Sequence, residues 1–198
     1  MKFHDFVEGS IGHIINDRMD APPSTVVELG VYNGYFTFNM LHMMCQNNPN
    51  YKHYSIDPYI GYNEFDSSEI SKVRSTFMNN LSLCPHSKNL EFMESPSSDA
   101  LINLINRGVI ADLVYIDGDH RADAVLQDLV LSWKLLRVGG AVLMDDSVSW
   151  CFTDKARNKP LQMSPRLAVD AFIHCFWDKL EVLILPNGYQ TAFIKRGH

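Results

Sequence analysis

The sequence predicts an α/β protein built on an open, mostly parallel sheet with helices on both faces and one antiparallel strand near its C-terminal end. Short apolar segments rich in β-branched residues alternate with longer segments whose apolar residues recur at helical spacing, which indicates strands joined by helices. Gly30 and Gly34 follow the first apolar segment as a strand-to-helix turn. Two strand-like segments flank the turn Pro186-Asn187-Gly188-Tyr189, which is typical of a β-hairpin, so the last strand must run antiparallel to its neighbour.

Seven segments are predicted as strands because they are short, apolar and bounded by turn residues. They span residues 24–30, 51–57, 89–94, 112–117, 141–145, 181–185 and 190–195. The helices predicted between them have an apolar face and span residues 36–45, 67–83, 98–106, 121–136 and 165–179. Val138-Gly139-Gly140 is expected to end the fourth of these helices, and Ser97 or Ser98 to cap the third.

Length and composition bound the class of protein. The 198 residues are expected to form one domain over residues 24–198, preceded by an N-terminal helix or arm over residues 1–23 that could contribute to a homodimer. The net charge of −6 argues against nucleic acid or an anionic membrane as the main partner. No apolar run approaches the ~18 residues of a membrane span. Because the cysteines are scattered and the first residues lack the apolar core of a signal peptide, we expect a cytoplasmic protein with reduced thiols.

The glycine turn and the acid after the second strand favour a nucleoside-binding site. The turn Glu28–Gly34 has the spacing E-x-G-x-x-x-G, which differs from the G-x-G-x-x-G of dinucleotide-binding sites. Glycine lets a ligand approach the backbone, and the following helix directs free N–H groups toward that ligand. Asp57 ends the second strand, where a carboxylate can accept hydrogen bonds from both hydroxyls of a ribose. An ordinary strand-to-helix turn and a surface aspartate are the alternatives.

Four aspartates end or follow the fourth and fifth predicted strands: Asp117, Asp119, Asp145 and Asp146. The carboxyl ends of neighbouring parallel strands lie side by side, so these side chains are expected to converge on one crevice. Carboxylates repel one another and lose hydration when they are buried together. A divalent metal ion, a cationic ligand or both would offset that repulsion.

With these motifs the chain resembles the class I S-adenosylmethionine-dependent methyltransferases. The matching motifs are Glu28-Leu29-Gly30-Val31-Tyr32-Asn33-Gly34, Asp57-Pro58-Tyr59, Ser97-Ser98-Asp99, Asp117-Gly118-Asp119-His120 and Val138-Gly139-Gly140. The resemblance implies a Rossmann-like fold with a mostly parallel seven-stranded sheet that ends in an antiparallel hairpin strand. It also implies S-adenosylmethionine as cofactor, bound by Glu28, Gly30, Tyr32, Gly34, Asp57, Tyr59, Ser97, Ser98, Asp117 and Gly118. Pro96 departs from the small or acidic residue that the class often has at that position.

Within that class the nearest resemblance is to small O-methyltransferases that need a divalent metal, of the macrocin type that modifies antibiotic sugars, and more distantly to the catechol type. This resemblance implies that Asp117, Asp145 and Asp146 bind Mg²⁺ or another divalent cation, which fixes a substrate hydroxyl and lowers its pKa. It favours Asp119 as the general base, with His120 as the alternative because imidazole titrates near neutral pH. We therefore expect an O-methyltransferase acting on a hydroxyl of a small molecule, either a sugar moiety of a natural product or a phenol.

Two other functions are compatible with the same motifs. One is a metal-independent N- or O-methyltransferase, in which Asp117 binds the amino group of the cofactor and Asp145 and Asp146 cap a turn. The other is a non-catalytic nucleoside-binding protein on the same fold. The irregular segment over residues 147–164, which contains Trp150 and Phe152, could form a substrate lid, and local loop packing is its alternative.

Overall fold

The computed structural model describes residues 9–60, 67–147, 163–185 and 189–197. Most of the predicted lid, including Trp150 and Phe152, lies outside these described residues, as does most of the turn of the predicted C-terminal hairpin. No helix in the described part of the chain is long and apolar enough to cross a membrane.

Seven strands form one sheet in the described residues. They are β1 (Thr25–Leu29), β2 (Lys52–Ile56), β3 (Leu90–Met93), β4 (Ala111–Ile116), β5 (Leu136–Met144), β6 (Leu180–Ile184) and β7 (Thr191–Lys195). Their order across the sheet is β3-β2-β1-β4-β5-β7-β6, with the first five parallel and β7 antiparallel to both of its neighbours. The strand order reverses between β1 and β4, which is where ligands bind in open α/β sheets. The predicted fold class is therefore confirmed.

Helices cover both faces of the sheet. They are α1 (Ser10–His13), which continues as a π-helical turn over Ile14–Arg18, α2 (Tyr35–Cys45), α3 (Ser67–Leu83), α4 (Ser97–Asn106), α5 (Ala122–Leu135) and α6 (Pro165–Phe176). One face packs against α4, α5 and α6 through a core that includes Leu129 and Phe172. The other packs against α1 and α2 through a core that includes Ile11 and Met40. The described part of the N-terminal segment therefore lies on the sheet, where it buries apolar side chains.

The fifth strand is longer than the sequence predicts. β5 begins at Leu136 rather than at Ala141, and its register with β4 shifts between Ala111 and Leu113. The extra residues of β5 form a bulge, in which Gly139 has a φ of +80°. The glycine pair that was predicted to end the preceding helix lies instead in this bulged strand, because glycine tolerates the left-handed backbone that the bulge requires.

The ends of β1 and β4 approach each other more closely than a Cβ atom between them would allow. The backbone N–H of Asp117 donates to the carbonyl oxygen of Leu29 at 2.8 Å, and the N–H of Gly30 donates to that of Ile56 at 2.9 Å. Gly30 has a φ of +85°, and a Cβ built on it would lie 2.0 Å from the carbonyl oxygen of Asp117 and 2.8 Å from Cα of Gly118. Glycine is therefore required at position 30, and it brings the chain after β4 against the turn after β1.

Gly30→Ala is expected to lower the free energy of unfolding by about 3 kcal/mol or more, because strain in φ adds to a clash with backbone atoms that cannot move aside. Gly108→Ala is the matched control, since Gly108 has a φ of +70° and a Cβ there would meet no atom within 4 Å. The control should lose only about 1–2 kcal/mol. Urea unfolding followed by circular dichroism measures both values, and equal destabilisation of the two variants would contradict the close approach.

Candidate active site

Asp57, which follows β2, is hydrogen-bonded to the backbone of the glycine turn. Its Oδ2 accepts hydrogen bonds from the backbone N–H groups of Val31 at 2.9 Å and Tyr32 at 3.1 Å. Its Oδ1 accepts one from the N–H of Tyr59 at 2.7 Å. An ionised carboxylate offers about four lone-pair positions, so acceptor capacity is left for a ligand. The structure thus brings the predicted cofactor residues Tyr32, Asp57 and Tyr59 together beside Gly30.

Two tyrosines of this region have unusual backbone conformations. Tyr32 and Tyr59 have φ values of 51° and 46°, which residues other than glycine rarely adopt. The phenol of Tyr59 donates to the carbonyl oxygen of Tyr32 at 2.7 Å, and burial, reinforced by the Asp57 carboxylate, raises the pKa of that phenol. Gly34, which precedes α2, completes the turn with a φ of +88°. Strained positions of this kind cost about 1–3 kcal/mol each and cluster at ligand sites.

Glu28 lies fully buried on β1, in a polar network that sequence reasoning did not identify. Its Oε2 accepts hydrogen bonds from Thr37 Oγ1 at 2.6 Å, Ser55 Oγ at 2.8 Å and His53 Nε2 at 2.9 Å. The other ring nitrogen of His53 lies 2.8 Å from the hydroxyl of Tyr51. Oε1 of Glu28 is buried and has no hydrogen-bond partner among the described residues. It is the kind of atom that a donor group of a ligand would satisfy, because buried acceptors are rarely left unpaired.

Asp117 and Asp145 share one phenol. Tyr115, on β4, places its hydroxyl 3.1 Å from Oδ2 of Asp117 and still closer to Oδ2 of Asp145. Its ring is buried and stacks on Phe36, with the ring centroids 4.1 Å apart. Burial, reinforced by Asp145 and Asp146, raises the pKa of Asp117 well above its usual range. One phenol proton cannot compensate two carboxylates, so negative charge is incompletely balanced at this edge of the sheet.

Three side chains in the described residues have the spacing of a metal-binding group: Asp117, His120 and Asp146. One ligand atom of each lies within 4.8 Å of the others. Nε2 of His120 lies 3.6 Å from Oδ2 of Asp146, whose φ is 47°. Asp145 is engaged elsewhere: its Oδ1 accepts a hydrogen bond from the N–H of Asp146 at 2.8 Å, and its Oδ2 accepts one from the hydroxyl of Tyr115. The structure thus brings together two of the three predicted metal ligands and adds His120 in place of Asp145.

Asp119, the base favoured from sequence, is held by an arginine. Its Oδ1 accepts a hydrogen bond from the backbone N–H of Arg121 at 2.9 Å, and its Oδ2 accepts one from Nε of the same residue at 2.8 Å. The Asp119 side chain is 16% exposed, so solvent and a ligand can reach it. Each oxygen keeps a second lone pair with which it can accept a proton.

Ser97 and Ser98 form the first turn of α4, and the helix cap predicted there is wrong. Pro96 occupies the cap position. The Ser97 hydroxyl donates instead to Oδ1 of Asp128 on α5, at 2.6 Å. Asp128 is only 2% exposed, and burial raises the pKa of its carboxyl to about 6. Sequence reasoning missed Asp128, although a charged residue on the apolar face of an amphipathic helix is a detectable signal.

Asp128→Asn is expected to raise stability at neutral pH. Because the folded-state pKa of about 6 lies above the ordinary value of 3.8, the folded protein holds this proton more tightly than the unfolded chain does. The free energy of unfolding should therefore fall as pH rises from about 4 to about 6, and Asp128 should contribute up to about 3 kcal/mol of that fall. Asp128→Asn should remove this contribution.

Urea unfolding between about pH 4 and pH 7.5 measures the Asp128 contribution. Asp123→Asn changes an exposed aspartate of the same helix and serves as the control. Parallel pH profiles for the wild type and Asp128→Asn would contradict the expectation.

Comparisons with known proteins place this arrangement in a family. A family model described as "Methyltransferase domain" matches residues 27–147, more than half of the chain. Comparison with curated protein sequences gives no match. Among solved structures, the SAH-bound methyltransferase PaMTH1 of Podospora anserina is 17% identical to this chain, with a TM-score of 0.63, and the likeness covers 88% of this chain and 73% of that one.

Two further solved structures with this fold are described as O-methyltransferases. The O-methyltransferase TomG of Streptomyces achromogenes, involved in tomaymycin synthesis and solved with SAM, is 16% identical, with a TM-score of 0.63 over 88% of this chain and 74% of that one. CalS11, a TDP-rhamnose 3'-O-methyltransferase of calicheamicin biosynthesis, is 15% identical, with a TM-score of 0.59 over 89% of this chain and 73% of that one. Identities this low show a shared fold, whereas the family match shows membership. The chain belongs to the methyltransferase domain family, which confirms the predicted class, a class I S-adenosylmethionine-dependent methyltransferase.

Proposed function

We propose that this chain transfers a methyl group from S-adenosylmethionine to a hydroxyl of a small molecule. The observation that carries the proposal is the convergence of Asp117, His120 and Asp146, whose ligand atoms lie within 4.8 Å of one another, next to the glycine turn. Such a group can hold an acceptor hydroxyl and receive its proton beside a nucleoside site. Direct methyl transfer needs these two functions and no covalent intermediate on the protein.

The residues at this edge fit S-adenosylmethionine. Its sulfonium and ammonium groups are cationic, and the carboxylates of Asp145 and Asp146, which lie near enough to Asp117 to raise its pKa, favour positive charge at this edge. Asp57 keeps lone pairs for the ribose hydroxyls, and Glu28 keeps a buried Oε1 without a partner among the described residues. When bound, the cofactor supplies an electrophilic methyl group. We assign Ser97 and Ser98 to the adenine side, and the remaining cofactor contacts to Gly30, Tyr32, Gly34, Tyr59 and Gly118.

A divalent cation fits the same acids. Asp117, His120 and Asp146 offer two carboxylates and an imidazole, whereas Asp145 is engaged by Tyr115 and by a backbone N–H. We therefore assign the cation to the first three residues. An imidazole donor widens the choice from Mg²⁺ to Mn²⁺, Fe²⁺ or Zn²⁺. When bound, the cation would offset the repulsion among the acids and lower the pKa of the acceptor hydroxyl.

The identity of the general base depends on whether a cation binds. With a cation, His120 is a ligand and Asp119 receives the proton, with its carboxylate oriented by Arg121 at 2.8 Å. Without a cation, His120 receives the proton, and Asp146, 3.6 Å from its Nε2, orients the ring and balances the imidazolium that forms. The contact between His120 and Asp146 is the observation that favours this second, metal-independent candidate.

For the acceptor we propose a sugar hydroxyl or a phenol. CalS11, which shares the fold, is by name a methyltransferase of TDP-rhamnose, and this supports the sugar. Assays with nucleotide sugars, glycosylated macrolides and catechols, read by mass spectrometry of the methylated product, would identify the acceptor. Cofactor binding without transfer to any of these acceptors would favour the non-catalytic nucleoside-binding protein.

S-Adenosylhomocysteine is expected to raise the melting temperature of the protein, since a ligand that binds only the folded state stabilises it. Asp57→Ala should weaken the binding of S-adenosylhomocysteine at least about tenfold, because it removes the ribose acceptor and the fastening of the turn. Isothermal titration calorimetry measures the dissociation constants, with Asp178→Asn, at an exposed position after α6, as control. A melting temperature that neither S-adenosylmethionine nor S-adenosylhomocysteine changes would overturn the proposed function.

Methyl transfer is expected to stop in EDTA and to return on addition of Mg²⁺ or Mn²⁺. Asp146→Ala should lower kcat at least about 100-fold and weaken binding of the cation, while leaving the affinity for S-adenosylhomocysteine unchanged. His174→Gln, at an exposed position on α6, is the control. Full activity in EDTA, together with loss of activity in His120→Gln, would exclude the cation and support the metal-independent candidate.

A further inference from the structure

We propose that Asp128 is a positioning residue for the adenine end of the cofactor site: its carboxylate accepts a hydrogen bond from the hydroxyl of Ser97, so that the Ser97 oxygen is left to accept a hydrogen bond from the exocyclic amine of adenine. The inference rests on the proposed function, because it assumes that the nucleoside lies along the end of β3. It goes further by stating how this chain would distinguish adenine from other purines.

The geometry fixes the direction of one hydroxyl. Oγ of Ser97 lies 2.6 Å from Oδ1 of Asp128 and donates to it. A hydroxyl has a single proton and two lone pairs, so a serine that donates to a carboxylate presents only acceptor positions to any other group. The end of β3, four residues before Ser97, lies beside the ribose acid, because the N–H of Asp57 donates to the carbonyl oxygen of Met93, the last residue of β3, at 3.2 Å.

A carboxylate is the side chain that this task requires. When ionised it accepts hydrogen bonds and donates none. An asparagine amide could instead turn its NH₂ toward Ser97, which would leave the serine hydroxyl free to donate to another group. Asp128 is 2% exposed and lies on the apolar face of α5, between Val125 and Leu129. Its carboxyl has a pKa raised to about 6 by burial, with Asp119 the nearby charge that adds to the rise, so it is ionised at pH 7.5. Burying that charge destabilises the fold, which a structural role alone does not explain.

The expected consequence is discrimination between purines. The exocyclic amine of adenine donates a hydrogen bond, whereas hypoxanthine carries a carbonyl oxygen at the same position. A serine oxygen that can only accept hydrogen bonds would attract the amine of adenine and repel the carbonyl oxygen of hypoxanthine. Sites built on such hydrogen bonds strongly reject the mismatched analogue. Wild-type protein should bind S-adenosylhomocysteine at least about tenfold more tightly than S-inosylhomocysteine, its 6-oxo analogue.

The test is the ratio of the two dissociation constants, measured by isothermal titration calorimetry at pH 7.5. Asp128→Asn and Ser97→Ala should each lower this ratio from at least about tenfold to about threefold or less, while Asp123→Asn, at an exposed position on α5, should leave it unchanged. The ratio is the deciding value, because a residue that only stabilises the fold would weaken both ligands equally.

The outcomes separate this inference from the proposed function. If the wild type binds S-adenosylhomocysteine but the ratio is the same in Asp128→Asn, the role of Asp128 is overturned and the methyltransferase site stands. Equal weakening of both ligands in the variants would also overturn that role and assign Asp128 to folding. If the wild type binds neither ligand, the proposed function fails and this inference fails with it.

Discussion

The candidate site depends on one backbone contact, the close approach of the turn after β1 to the chain after β4. The N–H of Asp117 donates to the carbonyl oxygen of Leu29 at 2.8 Å, and the missing side chain of Gly30 leaves room for this contact. It lies where the strand order reverses, so the crevice of the open sheet forms at the same point. The other acids are placed relative to it: Asp57 through the glycine turn, and Asp145 through its N–H, which donates to Ile116 at 2.9 Å.

The negative charges of the carboxylates along this edge are stabilised by hydrogen-bond donors to different extents. Asp57 accepts hydrogen bonds from three backbone N–H groups, and Asp145 accepts one N–H and the phenol of Tyr115. Asp117 shares that single phenol, is largely removed from solvent and lies near Asp145 and Asp146, so its pKa is raised and its charge is less well balanced than that of Asp57. A cation bound next to Asp117 would relieve a repulsion among carboxylates that the protein itself leaves in place.

The fold class and the edge that carries the site could be predicted from sequence, because apolar periodicity is local and the carboxyl ends of parallel strands always share one edge. The sequence could not predict that His120, rather than Asp145, lies beside Asp117 and Asp146, since this depends on rotamers and on the left-handed backbone of Asp146. Asp128 and His53 were missed for another reason. Their partners lie 31 and 25 residues away in the chain, and no local pattern shows which residue of another helix or strand a side chain will meet at that separation.

Two buried carboxylates behind the site suggest how it can bind a polar ligand without reorganising. Glu28 accepts hydrogen bonds from the hydroxyls of Thr37 and Ser55, and Asp128 accepts one from the hydroxyl of Ser97. Apolar side chains of similar size at such positions are often neutral or stabilising, so packing alone does not account for these carboxylates. A buried group that only accepts hydrogen bonds sets the direction of every hydroxyl that touches it. Hydroxyls that would rotate freely in water are then fixed by the fold itself, so their ordering entropy is lost during folding rather than on binding of a ligand.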